Sequence, residues 1–464
     1  MKKIISLLLP LFLMLALTEV GASGNFEKTD TGWKAGVASM VITPIESMWM
    51  AGYGSRDHSS EGKVNDLWIK ALALQDVDGN QSVLVTMDLE EISKIFSDRI
   101  KDQLKIKFRL SKAQVILNVS HTHSSPVLEN FGDIYPSFDS IQIVRIKKYT
   151  GGLEDKIVAL VNKALHSMQP VQLYSGNGVT RFQVNRRNNN ESTLNMQTEL
   201  KGPNDYAVPV IKVVNKSGKI MAIAFGYACH NTVLDGYKWS GDYAGFGQSE
   251  LEKMYPGATA LFFQGCGGDQ NPLPRRTVAL AQQYGQTLAF AVESVLTGDM
   301  RELLPYLSTS YKEIELSLTA PPTKNELSKM VKEYSGYEKR WASRLINKLE
   351  RGESLQTSYP YPIQIWRLGD QMMMALGGEP VIEYAIQLKR IFGEDMFVLG
   401  YSNDVMAYIP SAAILYVGAY EGASSVMTTY LPSTWASNIE MVMLRRMLGL
   451  AEQAGMPMPE SKLI

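Results

Sequence analysis

Apolar runs that break off into polar clusters recur along this chain, and they constrain both its fold and its chemistry. One run (114–119) leads into His121 and His123, and another (220–228) leads into His230. Neutral imidazole is a common metal ligand and a natural proton carrier near neutral pH. Open α/β sheets place their sites where strands end. These histidines, three of the five in the chain, therefore mark the predicted functional site.

Predicted strands and helices alternate along the chain. Alternating or continuous short apolar runs predict strands, whereas apolar residues at helical spacing predict helices. The predicted strands are residues 82–88, 114–119, 171–174, 208–214, 219–228, 258–263, 364–368, 372–376 and 396–399. The predicted helices are residues 93–108, 153–168, 243–254, 278–295, 380–391 and 435–454, with a charged helical excursion at about 322–352. This order favours an α/β layered sandwich with a mixed, largely buried β-sheet core flanked by helices.

The composition is that of an ordinary globular protein. Of the 464 residues, 45% are hydrophobic, and the formal net charge is -1. Without a basic stripe, nucleic acid is not an expected partner. No internal repeat or long linker divides the chain, so we expect a single domain over residues 24–464. Beyond the first residues no apolar run reaches ~18 residues, which argues against an integral membrane span. The oligomeric state stays open.

Residues 1–23 carry the pattern of a secretory signal peptide. Two lysines precede an apolar run (4–17), and a small-residue cleavage site follows at 20–22. No cysteine lies near that site, which argues against a lipoprotein anchor. We therefore expect a periplasmic or secreted protein. In an oxidising compartment Cys229 and Cys266 either form a disulfide or pack as two small buried hydrophobes, and the sequence leaves both open.

Three further polar clusters follow predicted strands. Residues 265–272 include Asp269 and Asn271. Residues 377–380 include Glu379, and the cluster that starts at residue 400 runs on to Tyr408. A single glycine-rich or acid-bearing turn is weak evidence of function, because such turns are common. Their convergence on one side of a sheet is the stronger signal.

The order of these motifs resembles the catalytic domain of the neutral (alkaline, non-lysosomal) ceramidases. The stretch S-H-T-H-S-S-P at 120–126 resembles the family signature S/T-H-T-H-S-G-P, with serine in place of its glycine. The stretch A-C-H-N-T at 228–232 resembles the family's A-V-H-P-T turn. The acid that ends 86–88, the N-R pair at 185–186 and Y-E-G-A-S at 420–424 resemble further family elements. The match is ordered and spans most of the chain.

The resemblance implies a zinc ion held by two histidines, one glutamate and one tyrosine. Carried over to the matching positions, the ligands are His121, His230, Glu379 and Tyr408. Nitrogen and oxygen ligands of these kinds suit Zn²⁺. An open coordination position would hold a water whose pKa falls to ~7, and that water would attack an amide bond.

Other residues are expected to act around this centre. The catalytic candidates are His123, Arg186, Asp269, Asn271 and Asp88. On an extended backbone His123 would lie ~7 Å from His121, too far to share the metal, so it would shuttle protons or bind substrate. Asp88 would orient a ligand imidazole. Arg186 would polarise a carbonyl or hold an anionic group.

Two departures from the family pattern bear on the substrate. The stretch G-D-Q-N-P at 268–272 puts Asn271 where ceramidases carry a serine. An amide orients substrate or stabilises an oxyanion, but it is not a nucleophile of the serine type. We also expect the C-terminal β-sandwich domain of ceramidases to be absent. With the polar stretch 185–190, these departures predict a smaller or more polar substrate than long-chain ceramide.

The sequence thus predicts a secreted zinc-dependent hydrolase that cleaves an N-acyl (amide) bond. Its substrate would be a small molecule, either an N-acyl lipid or a polar glycan-derived compound. One alternative is a zinc hydrolase acting on carbohydrate-derived ester, amide or glycosidic bonds. A second is a non-catalytic periplasmic binding protein. A long apolar channel would favour lipid, whereas exposed Trp, Asn and Arg would favour sugar.

Overall fold

The computed structural model describes residues 32–129, 135, 138–456 and 458. The signal peptide predicted at 1–23 lies outside these residues. Within the described part of the chain, no helix has the length and apolar character that a membrane crossing requires.

Strands and helices follow one another through the described residues. The strands are β1 (Trp33–Val41), β2 (Trp68–Gln75), β3 (Gln81–Met87), β4 (Val115–Val119), β5 (Gln169–Val179), β6 (Gln183–Asn185), β7 (Ala207–Asn215), β8 (Ile220–Tyr227), β9 (Thr259–Gln264), β10 (Gln270–Pro272), β11 (Arg301–Glu302), β12 (Leu307–Ser317), β13 (Ser358–Leu368), β14 (Gln371–Leu376), β15 (Glu379–Pro380), β16 (Phe397–Leu399) and β17 (Tyr408–Ile409). The helices are α1 (Lys94–Phe108), α2 (Ser140–His166), α3 (Asp242–Met254), α4 (Val278–Leu296), α5 (Lys324–Glu333), α6 (Gly336–Glu350), α7 (Ile382–Phe392), α8 (Ala412–Val417), α9 (Ala419–Gly422) and α10 (Ile439–Gln453). Short 3₁₀ segments cover Lys112–Gln114, Glu191–Met196 and Ser424–Thr428.

Two sheets make up the centre of the fold. The larger sheet has the order β4-β3-β2-β1-β5-β7-β8-β9, with β11 paired to β5. Its outer pairs, β3 with β4 and β8 with β9, are parallel, and the pairs between them are antiparallel. The second sheet has the order β12-β13-β14-β16, in which only the pair of β14 and β16 is parallel. Both sheets are therefore mixed.

The two sheets pack face to face, and helices cover their outer faces. Leu72 of β2 and Met373 of β14 belong to the apolar cluster between the sheets. Because side chains alternate along a strand, residues an odd number of positions away from these two point to the outer faces of the sheets. Ile69 of β2 packs in the cluster formed with α1 and α2, and Met374 of β14 packs in the cluster formed with α7 and α10. Helices α3 and α4 cover β7 to β9. The predicted layered α/β sandwich is confirmed.

The structure extends several predicted elements. Helix α2 begins at Ser140, not at residue 153, and the side chain of Asp139 caps it by accepting from Gln142 N at 2.7 Å. The first turns of α2 carry exposed apolar residues such as Ile143. They therefore lack the apolar stripe on a single face by which an amphipathic helix is recognised in a sequence. The charged excursion divides into α5 and α6, and strands β1, β2 and β12 were not predicted.

The two cysteines are buried free thiols in loops that follow neighbouring strands. Cys229 follows β8 and Cys266 follows β9. Burial raises the pKa of both thiols. They therefore pack as neutral, small hydrophobic groups, which is the second of the two expectations.

Candidate metal centre

The loops after β4 and β8 bring two of the predicted ligands together. His121 follows β4, His230 follows β8, and a parallel bridge between Thr122 and Asn231 joins the loops. His121 has a φ of 59°, a left-handed conformation that turns the chain sharply at the strand end. The two histidines are 1% and 0% exposed. The loops that follow β4 and β8, joined by this bridge, thus hold both rings in the interior.

Glu379 and Tyr408 come from a short ribbon beyond the second sheet. They are register partners in the parallel pair of β15 and β17. Gly378, with a φ of 64°, precedes Glu379, and a Cβ there would lie 2.7 Å from the carbonyl oxygen of Ala407. Only glycine fits this close approach. The ribbon holds the Glu379 carboxylate and the Tyr408 hydroxyl against the histidine pair.

The distances define one cluster of donor atoms. Glu379 Oε2 lies 3.1 Å from Nε2 of His121 and 3.2 Å from Nε2 of His230. The hydroxyl of Tyr408 lies 3.3 Å from His230 Nε2. The hydroxyl of Tyr401 also approaches Glu379 Oε2, at 3.4 Å.

Backbone carbonyls set the orientation and the tautomer of both rings. His121 Nδ1 lies 2.7 Å from the carbonyl oxygen of Glu90, and His230 Nδ1 lies 2.6 Å from that of Gly267. A neutral ring in this position carries its proton on Nδ1 and turns the Nε2 lone pair inward. The ionised Glu379 carboxylate likewise accepts hydrogen bonds and donates none. Acceptors packed this closely repel one another unless a proton or a metal ion lies between them, and these nitrogen and oxygen ligands fit a metal ion.

His123 joins the same cluster. Its Nε2 lies 3.1 Å from Nε2 of His121, and ligating atoms of His121, His123 and His230 all lie within 4.8 Å of one another. The expected separation of ~7 Å is wrong because the backbone of His121 is not extended. Gly52 also permits this position, since a Cβ there would overlap the His123 ring. The Nδ1 of His123 is buried and has no hydrogen-bond partner among the described residues.

The electrostatics favour neutral His123 and His230 rings beside an ionised Glu379 carboxylate. Burial and the charge of Arg186 lower the pKa of His230 to about 4. Burial and the other two rings hold the pKa of His123 well below its ordinary value. Burial also opposes the charge of His121, but Glu379 raises its pKa. Burial works to raise the pKa of Glu379, yet His121 and His230 hold it well below the ordinary value. Near neutral pH at least two rings keep lone pairs available for a metal.

Arg186 connects the ligand cluster to the predicted substrate-facing amide. It donates to the Tyr408 hydroxyl at 3.1 Å, to Asn271 Oδ1 at 3.4 Å and to Glu421 Oε1 at 2.8 Å. Burial raises the pKa of Tyr408 well above its ordinary value, and Arg186 opposes that rise. The structure thus brings Arg186 and Asn271 to the site, and it adds Glu421, which lies in the Y-E-G-A-S motif but had no predicted role.

Asp88 does not orient a ligand imidazole, contrary to expectation. Its carboxylate accepts from the backbone N–H of Trp68 at 2.9 Å and from Gln248 Nε2 at 3.3 Å. The Nδ1 atoms of His121 and His230 use backbone carbonyls instead. Burial raises the pKa of Asp88 to about 6, which fits an acid enclosed at the end of β3.

Asp269 holds loops in place. Its carboxylate accepts from the backbone N–H of Ile382, at the start of α7, at 3.0 Å. It also accepts from Asn185 Nδ2 at 2.9 Å. Asp269 is 0% exposed. It therefore positions β6 and the chain around Glu379, and the structure gives it no contact with open space.

A cavity of about 400 Å³ opens onto the histidine and glutamate donors. Its wall combines apolar side chains, among them Ile95, Met406 and Leu431, with the carboxylates of Glu90 and Glu91. Sequence reasoning missed these two glutamates, although they follow Asp88 by two and three positions in the same strand-end loop. An acidic run at that place was the available signal.

A polar groove of about 720 Å³ lies on the other side of Tyr420, which borders both spaces. Its lining includes Arg186, Asn271, Arg275 and the asparagines at 188–190. The polar stretch singled out in the sequence therefore faces a groove next to the donor cluster. The lining is of the kind expected for a polar ligand.

Comparisons with known proteins give the family of this chain and the likeness of its fold. The family model described as neutral/alkaline non-lysosomal ceramidase, N-terminal, matches residues 33–289. The crystal structure of neutral ceramidase from Pseudomonas aeruginosa aligns with a TM-score of 0.70 and 19% identity, covering 93% of this chain and 76% of that chain. A ceramidase complexed with C2 aligns with a TM-score of 0.69 and 18% identity, covering 93% and 77%. No curated protein matches the sequence significantly. Glu379 and Tyr408 lie beyond the segment that the family model matches.

Proposed function

Because this chain belongs to the neutral/alkaline non-lysosomal ceramidase family, we propose that it is a zinc-dependent hydrolase of an N-acyl (amide) bond. The observation that carries the proposal is the cluster of inward-facing acceptors. Nε2 atoms of His121 and His230 lie 3.1 and 3.2 Å from one carboxylate oxygen of Glu379. A Zn²⁺ ion held there supplies a water with a pKa of ~7 and a Lewis acid for the carbonyl.

The chain's own residues divide the remaining work. His121, His230, Glu379 and Tyr408 hold the ion. The carbonyls of Glu90 and Gly267 keep the two rings in the ligating tautomer. His123 lines the cavity beside these ligands, where it shuttles protons or binds substrate.

Asn271 and Arg186 lie beside the metal ligands and bind the substrate. Asn271 is 4% exposed and lines the polar groove, where its amide orients the substrate carbonyl. Arg186 holds both Asn271 and Tyr408 and brings a fixed positive charge beside them. Asp269 acts through the loops it holds and so is a positioning residue.

The substrate of the proposed enzyme is small. The cavity of about 400 Å³ lies at the lower end of the ~300–1,000 Å³ typical of small-molecule sites. An N-acyl lipid of modest length or a polar glycan-derived compound suits it. With residues 1–23 acting as a signal peptide, the enzyme works in the periplasm or outside the cell.

A second candidate is a zinc hydrolase acting on carbohydrate-derived ester, amide or glycosidic bonds. The observation that favours it is the adjoining groove, whose arginines and asparagines match hydroxyl and carboxylate groups. A non-catalytic periplasmic binding protein would keep the same groove and cavity without turnover.

The proposed function is tested by measuring the metal content of the protein and then screening its activity. Purified protein is assayed for zinc by mass spectrometry and then offered N-acyl amines, detergent-dispersed ceramide and glycan fragments. We expect about one equivalent of zinc and chelator-sensitive release of a free amine. Zinc without any turnover would indicate the binding protein, sugar release would indicate the second candidate, and absence of zinc would contradict the proposal.

A further inference from the structure

An unpaired acidic wall faces the donor cluster across the cavity. Glu90 and Glu91 lie between β3 and α1, and both line the cavity of about 400 Å³. Glu90 is 9% exposed, and its Oε2 has no hydrogen-bond partner among the described residues. A buried carboxylate oxygen without a donor is unfavourable, so a ligand that donates a hydrogen bond here would stabilise it.

Further carboxyl groups line the same cavity, those of Glu379 and Asp404. Asp404 is already satisfied, since the hydroxyl of Tyr359 donates to its Oδ2 at 2.8 Å. Burial, together with the like charges of Glu90, Glu379 and Asp404, raises the pKa of Glu91 well above its ordinary value. Burial and the neighbouring carboxyl groups thus favour the neutral acid, and a cation bound in the cavity would favour the carboxylate.

The basic side chains near the wall are engaged elsewhere. The ammonium of Lys94 lies 2.8 Å from Glu313. The guanidinium of Arg56 donates to backbone carbonyls, among them that of His123 at 2.8 Å. Its charge partly offsets that of Glu90, and its Nε has no hydrogen-bond partner among the described residues. Among the described residues, no group donates a hydrogen bond to Glu90 Oε2.

We propose that Glu90 and Glu91 bind a protonated primary amine of the substrate. This names the substrate class of the proposed hydrolase, an N-acyl compound that also carries an ammonium group, and to that extent rests on the proposed function. An ammonium has three N–H donors and forms short, charge-assisted hydrogen bonds with carboxylates. The apolar wall around Ile95, Met406 and Leu431 packs against the methylene chain that joins the ammonium to the amide.

Binding of a simple amine tests the wall without any reaction. Calorimetry compares pentylammonium with 1-pentanol on the purified protein and on Glu91→Gln, with Glu90→Gln as a second variant. The matched control is Glu394→Gln, which removes the same charge from an exposed position. We expect pentylammonium to bind at least ~10-fold more tightly than pentanol, Glu91→Gln to lose about 10-fold, and the control to stay within about twofold.

Hydrolysis provides the second arm. Mono-acetylated α,ω-diamines with two to six carbons are compared with N-alkylacetamides of equal length, and the preference is the ratio of kcat/KM. We expect the charged series to be preferred by ~10-fold or more and Glu91→Gln to reduce that ratio. Each variant is checked for its melting temperature and zinc content.

The outcomes separate the two proposals. Ammonium binding without hydrolysis of either series would refute the hydrolase and keep the amine site. Hydrolysis without preference, and equal affinity for pentylammonium and pentanol, would refute the amine site and keep the hydrolase. Binding of Ca²⁺ or Mg²⁺ that Glu91→Gln abolishes, with no binding of pentylammonium, would make the wall a cation site and overturn the inference.

Discussion

The Nδ1 atom of His121 lies 2.7 Å from the backbone carbonyl oxygen of Glu90, so one hydrogen bond joins the candidate metal centre to the acidic wall. The contact uses the backbone of Glu90, which leaves its side chain directed at the cavity. Replacing that side chain therefore removes charge from the wall and keeps the partner that orients the ring. The wall and the centre can be altered separately.

Loss of either histidine should remove the metal. His121→Ala and His230→Ala each delete an Nε2 that lies beside Glu379, and we expect zinc affinity to fall by more than ~100-fold and hydrolysis to be lost. Mass spectrometry of metal content and chelator competition measure the effect. His166→Ala, at an exposed helix end, is the control and should keep its zinc. Full zinc occupancy in both buried variants would contradict the assignment.

Asn271 should affect turnover and not metal binding. Its Oδ1 accepts a hydrogen bond from Arg186 at 3.4 Å. Within the described part of the chain, no hydrogen bond joins the Asn271 side chain to the histidines. Asn271→Ala should therefore lower kcat by about 10²-fold, as loss of an oriented amide donor does. Zinc content should match that of the unaltered protein. If the variant loses its zinc, the role assigned to this loop is wrong.

The two tyrosines near Glu379 should differ in their effect on zinc. Tyr408 is the proposed ligand, whereas the Tyr401 hydroxyl only approaches Glu379 Oε2, at 3.4 Å. We expect Tyr408→Phe to weaken zinc binding by ~10²-fold and Tyr401→Phe by ~10-fold or less. Competition with a chromogenic chelator gives both affinities. The reverse order would place the phenolic ligand at Tyr401.

Lys101 should make stability depend on pH above neutrality. Burial lowers its pKa from the ordinary 10.5 to about 7, and its Nζ donates to Asn403 Oδ1 at 2.7 Å. Between these two values the unfolded chain binds the extra proton, so this residue makes the free energy of unfolding rise with pH, by at most ~1.4 kcal/mol per unit. Lys101→Met should flatten the rise between about pH 7 and 10.

Urea denaturation at a series of pH values measures this effect. Lys105→Met is the control, because Lys105 lies on the exposed side of the same helix. Equal slopes for the two variants would show that Lys101 is charged in the folded protein.

Long-chain ceramide should be a poor substrate. The cavity has a volume of about 400 Å³ and a carboxylate-bearing wall, which disfavour two long alkyl chains. We expect kcat/KM on detergent-dispersed ceramide to be below that on a short N-acyl amine. Steady-state assays of both substrates decide, and a ceramide value within the ~10⁴–10⁸ M⁻¹s⁻¹ of ordinary enzymes would make the protein a ceramidase in its own right.

Much of the fold follows from local pattern. The hairpin of β7 and β8 is predicted because a polar turn at 215–218 divides two apolar runs. Strand-end histidines indicate a site because α/β sheets place their sites where strands end. The left-handed backbone of His121 is not predictable in this way, since loop contacts with Asn231 impose it. The role of Asp88 is equally hidden, because a strand-end acid looks the same whether it meets an imidazole or a backbone N–H.

The ligand set draws on both sheets. His121 and His230 follow strands of the larger sheet, whereas Glu379 and Tyr408 belong to the ribbon that continues from the second. An ion bound by all four residues would link the two sheets, and its binding free energy would stabilise the folded state. A chain cut at residue 289, where the family match ends, would keep both histidines and lose Glu379 and Tyr408. Zinc supply would then set the lifetime of the folded protein as well as its rate of turnover.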